Sequence, residues 1–477
     1  MEPGRQITGR RASGSALWIF IAITALSLAG TRLAAIAVPW YVLTTTGSPT
    51  LTGVVAFAEL APYVVVKALC GPLIDRIGPV RVAVLGDALS MLAVAAVPLL
   101  HGAGLLSYPA LIALVALIGV LRAPGDGAKT TLIPLVAKAA DASLERVSGA
   151  FGAVDRLAAT FGAAFGGLVI AAVGGATALW LTAATLALTV ILLALALRPR
   201  LAGVSLTGAG AVPVTALASG PQAPPAGRPG GAPAKRPSYL SELREGWTFL
   251  RGDHVLVALV TVLAVTNMLE QAFGVALLPM WALVTGGGPA AIGFLLATSA
   301  AFSVIGAIVA AGLGERLPRR PIYVVAYLLV GLPRFGILAL AAPMPVTLGV
   351  LAVGGFAAGF INPIIGAVIV ERIPGRLMGR VNTLAMACAW ALLPIGGLLG
   401  GVLVSAVGLA NALWIVGGTY VLVTMAPTLM PAWRYIERNT LTRDPVVRPR
   451  PATAAALPES SRGRAARRGR RVRSRHR

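Results

Sequence analysis

Charged side chains stand within long apolar runs of this sequence, where charge is costly and therefore informative. An ionisable group at the centre of a membrane-spanning helix costs roughly 2.5–3.5 kcal/mol on insertion scales, so it needs a partner or water and is a candidate for function. In the first half of the chain these residues are Arg32, Glu59, Lys67, Asp87, Arg122, Asp126, Lys129, Asp155 and Arg156, and in the second half they are Glu270, Arg334 and Glu371. Carboxylates in such settings can exchange protons, and arginines can hold a carboxylate or an anionic ligand.

Arg32 and Glu59 lie at similar depths of two consecutive apolar runs. At 1.5 Å per residue, both positions fall roughly 12–14 Å from the same membrane surface. We therefore expect an ion pair between these two side chains. Such a pair would either hold a proton-titrating carboxylate or serve the structure alone.

Arg122 and Asp126 are placed to act together, because residues four apart share one face of a helix. Asp155 lies about eight residues into the following run and could meet them there. The cluster then has either a transport role or a purely structural one.

Glu270 is the only carboxylate deep within the apolar runs of the second half, and it stands beside Asn267 and Gln271. We expect it to couple to protons or to recognise a cation. Arg334 has no obvious partner nearby in the sequence, so we expect it to bind either an anionic substrate group or a backbone carbonyl.

Other chemistries lack support in the sequence. Residues 125–131 resemble a phosphate loop in composition. Such a loop needs four residues between its first glycine and a Gly-Lys pair, whereas here Ala128 precedes Lys129, so the spacing does not fit. The three histidines are scattered, and the two cysteines stand alone within apolar runs. We therefore expect no metal site, no cofactor and no enzymatic activity.

Composition and run length predict the fold class. Hydrophobic residues make up 57% of the 477 residues and charged residues 12%, against roughly 25% charged residues in soluble domains. Apolar runs of about 20 residues fit membrane-spanning helices and do not fit the short alternating strands of a barrel. We expect an all-α integral membrane protein with twelve transmembrane helices, at about residues 16–41, 51–70, 82–100, 106–128, 147–172, 177–197, 256–280, 290–313, 322–341, 345–370, 381–406 and 409–430.

The charges of the loops predict the orientation. Loops after the odd-numbered spans contain no Lys, Arg, Asp or Glu, whereas loops after the even-numbered spans and both tails are basic. Because basic loops stay in the cytoplasm, both termini should be cytoplasmic, and the composition suggests a bacterial cytoplasmic membrane. The net charge of +23 is explained by these segments, so the lipid bilayer is the expected partner and nucleic acid is not.

An internal repeat divides the spans into two six-helix pseudo-symmetric halves. Residues 71–78 match residues 311–318, and residues 166–174 match residues 400–408. Parallel halves of this kind place a substrate site between them at mid-membrane. The expected organisation is a cytoplasmic tail (1–15), a first half (16–200), a cytoplasmic linker with a short amphipathic helix at 239–250 (201–255), a second half (256–430) and a basic, disordered tail (431–477).

The sequence resembles the major facilitator superfamily. The stretch Gly71-x-Leu73-x-Asp75-Arg76-x-Gly78-x-x-Arg81 looks like the signature between its second and third helices, and residues 311–318 look like a degenerate second copy. Residues 38–41, 46–49 and 243–250 are similar to its drug and siderophore exporter branch. The resemblance implies a latch at the cytoplasmic surface that favours the outward-facing state, formed by Gly71, Asp75, Arg76, Gly78, Arg81, Glu315 and Arg316.

The resemblance implies a secondary active transporter that exports a hydrophobic or cationic small molecule in exchange for protons by alternating access. Coupling would require that protonation stabilises one facing state relative to the other. One alternative is an importer or facilitator of a metabolite. Another is a membrane scaffold or receptor that does not transport, although a scaffold would have little reason to retain the costly charges of Arg32, Glu59 and Glu270.

Overall fold

The structure is a computed structural model that describes residues 5–201, 239–313 and 318–437. Within these residues, twelve helices are long and apolar enough to cross a membrane, which confirms the predicted number of spans. They are Ser15–Thr46, Pro49–Leu69, Pro79–Gly102, Tyr108–Ala139, Leu144–Val173, Gly175–Leu201, His254–Val284, Gly288–Leu313, Arg319–Ala339, Met344–Arg372, Met378–Val407 and Leu409–Leu429, and they are called the first to twelfth spans below.

The fourth span is longer than the sequence indicated. It continues to Ala139 with one break at Leu132, whereas the prediction ended near residue 128. Lys129, which the sequence places among the charges within apolar runs, has its side chain buried inside the bundle, where Asp87 pairs with it. The extension of the fourth span therefore carries a charge that is compensated within the bundle.

Short helices lie outside the spans. Gly71–Ile77 connects the second and third spans, and Tyr239–Gly252 precedes the seventh at the position predicted for an amphipathic helix. Glu245 in that helix accepts a hydrogen bond from Arg380 of the eleventh span (Nη1–Oε2 2.7 Å). Outside the described residues lie 202–238 of the linker predicted over 201–255, the residues Glu315 and Arg316, and the tail beyond 437.

The predicted repeat reappears in the backbone. Gly174, between the fifth and sixth spans, has φ of 82°, and Gly408, between the eleventh and twelfth spans, has φ of 79°. This left-handed region is open to glycine and strained for other residues. Two turns that match in sequence thus match in conformation, as expected for two related halves.

The two halves touch at the end of the bundle where the loops carry no charge, here called the uncharged end. A Cβ atom on Gly293 of the eighth span would lie 2.7 Å from the carbonyl oxygen of Ala163 in the fifth span, so only glycine permits this approach. Between the second and eleventh spans, Thr50 Oγ1 lies 2.8 Å from Ser405 Oγ. These contacts close the bundle at the uncharged end.

Candidate functional site

A cavity of about 800 Å³ lies between the two halves, in the size range of small-molecule sites. Its two walls differ in chemistry. The first half contributes the charged residues Arg32, Glu59, Lys67, Arg122, Asp126, Lys129 and Asp155. The second half contributes Gln271, Gly274, Val275, Leu296, Trp390 and Leu393 among others, none of which is charged. A ligand in this cavity would meet a polar face and an apolar face.

Arg122 is shared between two carboxylates on the charged wall. Its Nη1 atom donates to Glu59 Oε1 (3.4 Å), and its Nε atom donates to Asp126 Oδ2 (3.3 Å). The predicted proximity of Arg122 and Asp126 is therefore confirmed. Gly119 explains the contact with Glu59, because a Cβ atom there would collide with the carbonyl oxygen of Glu59, so glycine lets the second and fourth spans approach closely.

Lys129 joins this cluster from one turn further along the fourth span. Its Nζ atom lies 2.8 Å from Asp87 Oδ1, donates to Ser27 Oγ (2.6 Å) and lies 3.4 Å from Asp126 Oδ1. Asp87 has no exposed surface. The ammonium thus connects a fully buried carboxylate of the third span to Asp126, which lines the cavity.

Arg32 does not pair with Glu59, so that prediction is wrong. Its Nη2 atom donates to Asp155 Oδ1 of the fifth span (3.2 Å). Similar depth does not fix the direction in which a helix turns its side chains. A Cβ atom on Gly162 would lie 3.0 Å from Arg32 Cβ, so the glycine leaves room for this arginine against the fifth span. Asp155 accordingly meets Arg32 and not the Arg122 cluster, although Arg32, Arg122 and Asp155 all line the same cavity.

Glu270 and Arg334 form a two-pronged ion pair, so Arg334 is held by a carboxylate of the seventh span and not by the backbone carbonyl or anionic substrate group expected for it. Arg334 donates through Nη2 to Oε1 (2.7 Å) and through Nη1 to Oε2 (3.0 Å). The guanidinium carbon lies 4.5 Å from the ring centroid of Phe273, 4.6 Å from that of Phe335 and 5.7 Å from that of Tyr420. Planar geometry and stacking of this kind are specific to arginine.

Two helix irregularities position this pair. The ninth span breaks at Gly331, between Arg319–Val330 and Leu332–Ala339, where Pro333 lacks the amide hydrogen that would continue the helix. In the seventh span, a π-helical turn, Phe273–Leu277, follows Glu270 closely. Neither Glu270 nor Arg334 belongs to the cavity lining, although the neighbouring Gln271 does.

The sequence analysis missed a set of ion pairs at the opposite, charged end of the second half. Arg372 donates to both oxygens of Asp253 (2.8 and 2.9 Å), and both side chains are almost fully buried. Asp253 also caps the seventh span by accepting from the amides of Val255 and Leu256. An aspartate immediately before an apolar run is a helix-start signal that could have located it.

Glu371 has a comparable partner in Arg319, whose Nη1 and Nη2 atoms lie 2.6 Å from its two oxygens. The sequence analysis placed Glu371 among the charges inside the membrane. It lies near the end of the tenth span, beside the start of the ninth. This pair therefore joins the charged ends of two helices and does not reach the cavity.

Comparison with known proteins decides the family. Residues 20–286 and 260–474 match the family described as the Major Facilitator Superfamily. This chain belongs to that superfamily. The predicted twelve-helix, two-half fold and the predicted class, a multi-pass membrane transporter rather than an enzyme, are confirmed with it.

Similar proteins agree with this assignment. The chain is 32% identical over 403 residues to the multidrug efflux pump Tap of Mycobacterium tuberculosis, covering 84% of this chain and 90% of that protein. It is 29% identical over 396 residues to Tap of Mycolicibacterium fortuitum, covering 82% and 90%. Among solved structures, a D-xylose–proton symporter matches with a TM-score of 0.61 at 15% identity, and the nucleoside transporter NupG with 0.59 at 14%, each covering 88% of this chain and 98% of its own.

The superfamily signature is largely exposed in this structure. Gly71 begins a short helix and Gly78 ends it with φ of 93°. Asp75, Arg76 and Arg81 are exposed and form no ion pair or hydrogen bond with another side chain of the described residues. Their predicted partners in the second half, Glu315 and Arg316, lie outside the described residues, so the latch remains a prediction.

Proposed function

We propose that this transporter exports hydrophobic or cationic small molecules across the cell membrane and that protons moving inward drive the export. The similarity to multidrug efflux pumps supports the direction and the substrate class. With the predicted orientation, the closed uncharged end faces outward, so the cavity would be in its cytoplasm-facing state. A two-faced cavity of about 800 Å³ suits compounds that combine an apolar body with a charge.

The position of Arg122 between Glu59 and Asp126 is the observation that carries the coupling part of the proposal. A proton on Glu59 would remove one of the two negative partners of Arg122 and leave the other, so the guanidinium stays compensated by Asp126 in both protonation states. A buried pair with a single partner lacks this alternative. Asp126 also contacts Lys129 and accepts from Tyr63, so of the two carboxylates that share Arg122, Glu59 has fewer contacts to lose when it takes up a proton.

Exchange of protons for substrate follows from the same geometry. Glu59 lines the cavity, so a cationic substrate near its carboxylate would disfavour the proton, and a proton would disfavour the cation. Protonation must also favour one facing state for transport to be driven. The second span, which carries Glu59, contacts the eleventh span at the uncharged end through Thr50, so a shift at Glu59 can act on the contact that closes this end.

Proton release tests the proposal directly. Inverted vesicles energised by respiration would be loaded with a pH-sensitive dye, and lipophilic cations, antibiotics and siderophores would be added. We expect proton release on addition of a transported compound, and its loss in Glu59→Gln. Glu270 lies outside the cavity, so Glu270→Gln serves as the control. The fraction of this variant that folds should retain proton release.

Three results would contradict the proposal. Proton release that survives in Glu59→Gln would exclude this carboxylate from coupling. Compound movement without proton release would indicate a downhill facilitator. A wild-type protein that moves none of the compounds would leave only the transporter fold.

A further inference from the structure

Lys67 is a charged residue of the cavity that the coupling scheme does not use. It lies two residues before the end of the second span and lines the cavity. Its Nζ atom donates to the hydroxyl of Tyr63 (2.9 Å) and lies 4.8 Å from the ring centroid of Trp390 in the other half. Its two immediate neighbours are therefore a neutral hydroxyl and an aromatic ring.

The other charges of the cavity are matched locally. Glu59 and Asp126 contact Arg122, Asp126 also contacts Lys129, and Asp155 contacts Arg32, all within 3.4 Å. No carboxylate of the described residues forms such a pair with Lys67. A ligand that enters the cavity would find each of these carboxylates in direct contact with a base, and one ammonium, that of Lys67, that reaches Asp126 only through the hydroxyl of Tyr63.

The charges can also be counted over the whole lining of the cavity. Four basic side chains and three carboxylates line the cavity, so the formal charge of the wall is positive. Asp87 compensates the positive charge of Lys129 from inside the bundle. It has no exposed surface, so a ligand in the cavity cannot touch it. Tyr63 in turn donates to Asp126 (3.2 Å), which fixes the hydroxyl that holds the ammonium in place. With Asp87 set against Lys129, the remaining three basic side chains and three carboxylates balance, and Lys67 is the one of these basic side chains that forms no ion pair with a carboxylate of the described residues.

Trp390 supplies the second element of a binding site. Its side chain is 40% exposed, and it comes from the apolar wall opposite Lys67. An ammonium next to an aromatic ring fits a ligand that combines an acidic group with a flat apolar body, since the acid can pair with the ammonium while the body packs on the ring. Val275 and Leu393 continue the apolar surface beyond the tryptophan.

We propose that Lys67 and Trp390 form a subsite for the carboxylate of aromatic, amphipathic substrates, so that the transported compounds include zwitterions and organic acids in addition to cations. This inference rests on the proposed export function and deepens it, because it assigns a substrate class to part of the same cavity. Lys67 acts here as a specificity-determining residue beside the proton-coupling cluster, to which the hydroxyl of Tyr63 connects it.

A matched pair of dyes tests the subsite. Rhodamine B carries a free carboxylate, and its ethyl ester is the same molecule without that charge. We expect Lys67→Gln to lower rhodamine B export by about tenfold, the loss of one charge-assisted hydrogen bond, and to change ester export by less than about twofold. Lys67→Arg should retain export of both dyes, and Arg251→Gln, an exposed residue before the seventh span, controls for loss of a positive charge.

Binding to the purified full-length protein separates this inference from the export proposal. Tryptophan quenching would report the affinity of each dye for wild type and for Lys67→Gln, whether or not either dye is exported. Weaker binding of rhodamine B alone supports the subsite even if export fails. Equal loss of both dyes, unchanged binding of both, or no binding of either dye to wild type would overturn it.

Discussion

The guanidinium of Arg334 lies among aromatic rings and is paired with the carboxylate of Glu270. The Arg334 side chain is 12% exposed, enclosed by aromatic rings and held by both oxygens of Glu270. Removing one partner of a buried pair leaves an uncompensated charge and costs about 3–5 kcal/mol in proteins. The Glu270 side chain is 40% exposed, so water screens this pair in part and the cost falls toward the lower end of that range. We therefore expect Glu270→Gln to melt well below wild type when purified protein in detergent is heated and followed by tryptophan fluorescence.

Two companion variants make this result specific. Glu270→Gln/Arg334→Gln removes both charges and should recover part of the lost stability, because no unpaired charge remains. Glu245→Gln removes one partner of the exposed pair with Arg380 and should change stability by about 1 kcal/mol or less. A Glu270→Gln protein that melts like wild type but loses coupled export would instead return Glu270 to the coupling role that the sequence suggested.

At the level of residues, the sequence identified charged side chains that line the cavity better than it predicted their partners. Arg122 and Asp126 share a helix, so their spacing alone was sufficient. Arg32 and Glu59 belong to different helices, and their partners depend on helix rotation and on how closely neighbouring helices approach. Those approaches are set by Gly119 and Gly162, whose role is invisible until the opposing backbone is known.

Among the elements, the second and eleventh spans form the contact that closes the uncharged end. A Cβ atom on Gly401 of the eleventh span would collide with the carbonyl oxygen of Pro49 at the start of the second span. We expect Gly401→Val to shift the equilibrium away from this closed end by about tenfold or more, since overpacking costs about 1–3 kcal/mol and a factor of ten corresponds to about 1.4 kcal/mol. One spin label would be placed on each half, both at the uncharged end, and the distance between them would report the shift.

Gly418 provides the matched control for this change. It lies in the twelfth span, and a Cβ atom there would meet nothing within 4 Å. Gly418→Val should therefore leave both the label distances and transport near wild-type values. An unchanged distance distribution in Gly401→Val would show that the second span can move away from the eleventh span without opening the uncharged end.

Hydropathy predicted the spans but not their irregularities. Uninterrupted apolar length identifies a helix, and it is insensitive to where that helix breaks or widens. The break at Gly331 and the π-helical turn at Phe273–Leu277 place Arg334 against Glu270, and a long-range contact of this kind leaves no periodic signal in the sequence. Pro333 was the one visible clue, because proline within a span marks a break or kink.

At the scale of the whole molecule, the repeat and the loop charges were sufficient to predict two halves around a central site. They could not predict which end of the bundle is closed, because both facing states share one sequence and one hydropathy pattern. The closed uncharged end is a property of this conformation, recorded in contacts such as Thr50 to Ser405.

Alternating access requires that these same contacts separate in every transport cycle. Thr50 Oγ1 and Ser405 Oγ are 2.8 Å apart across the two halves, so cysteines at both positions would be near enough to form a disulfide. In a background with Cys70 and Cys388 replaced by serine, we expect oxidised Thr50→Cys/Ser405→Cys to lose nearly all transport and to recover it on reduction. Each single variant should stay active under the same oxidant. Full transport by the cross-linked protein, with the disulfide verified by mass spectrometry, would mean that the uncharged end does not open during the cycle.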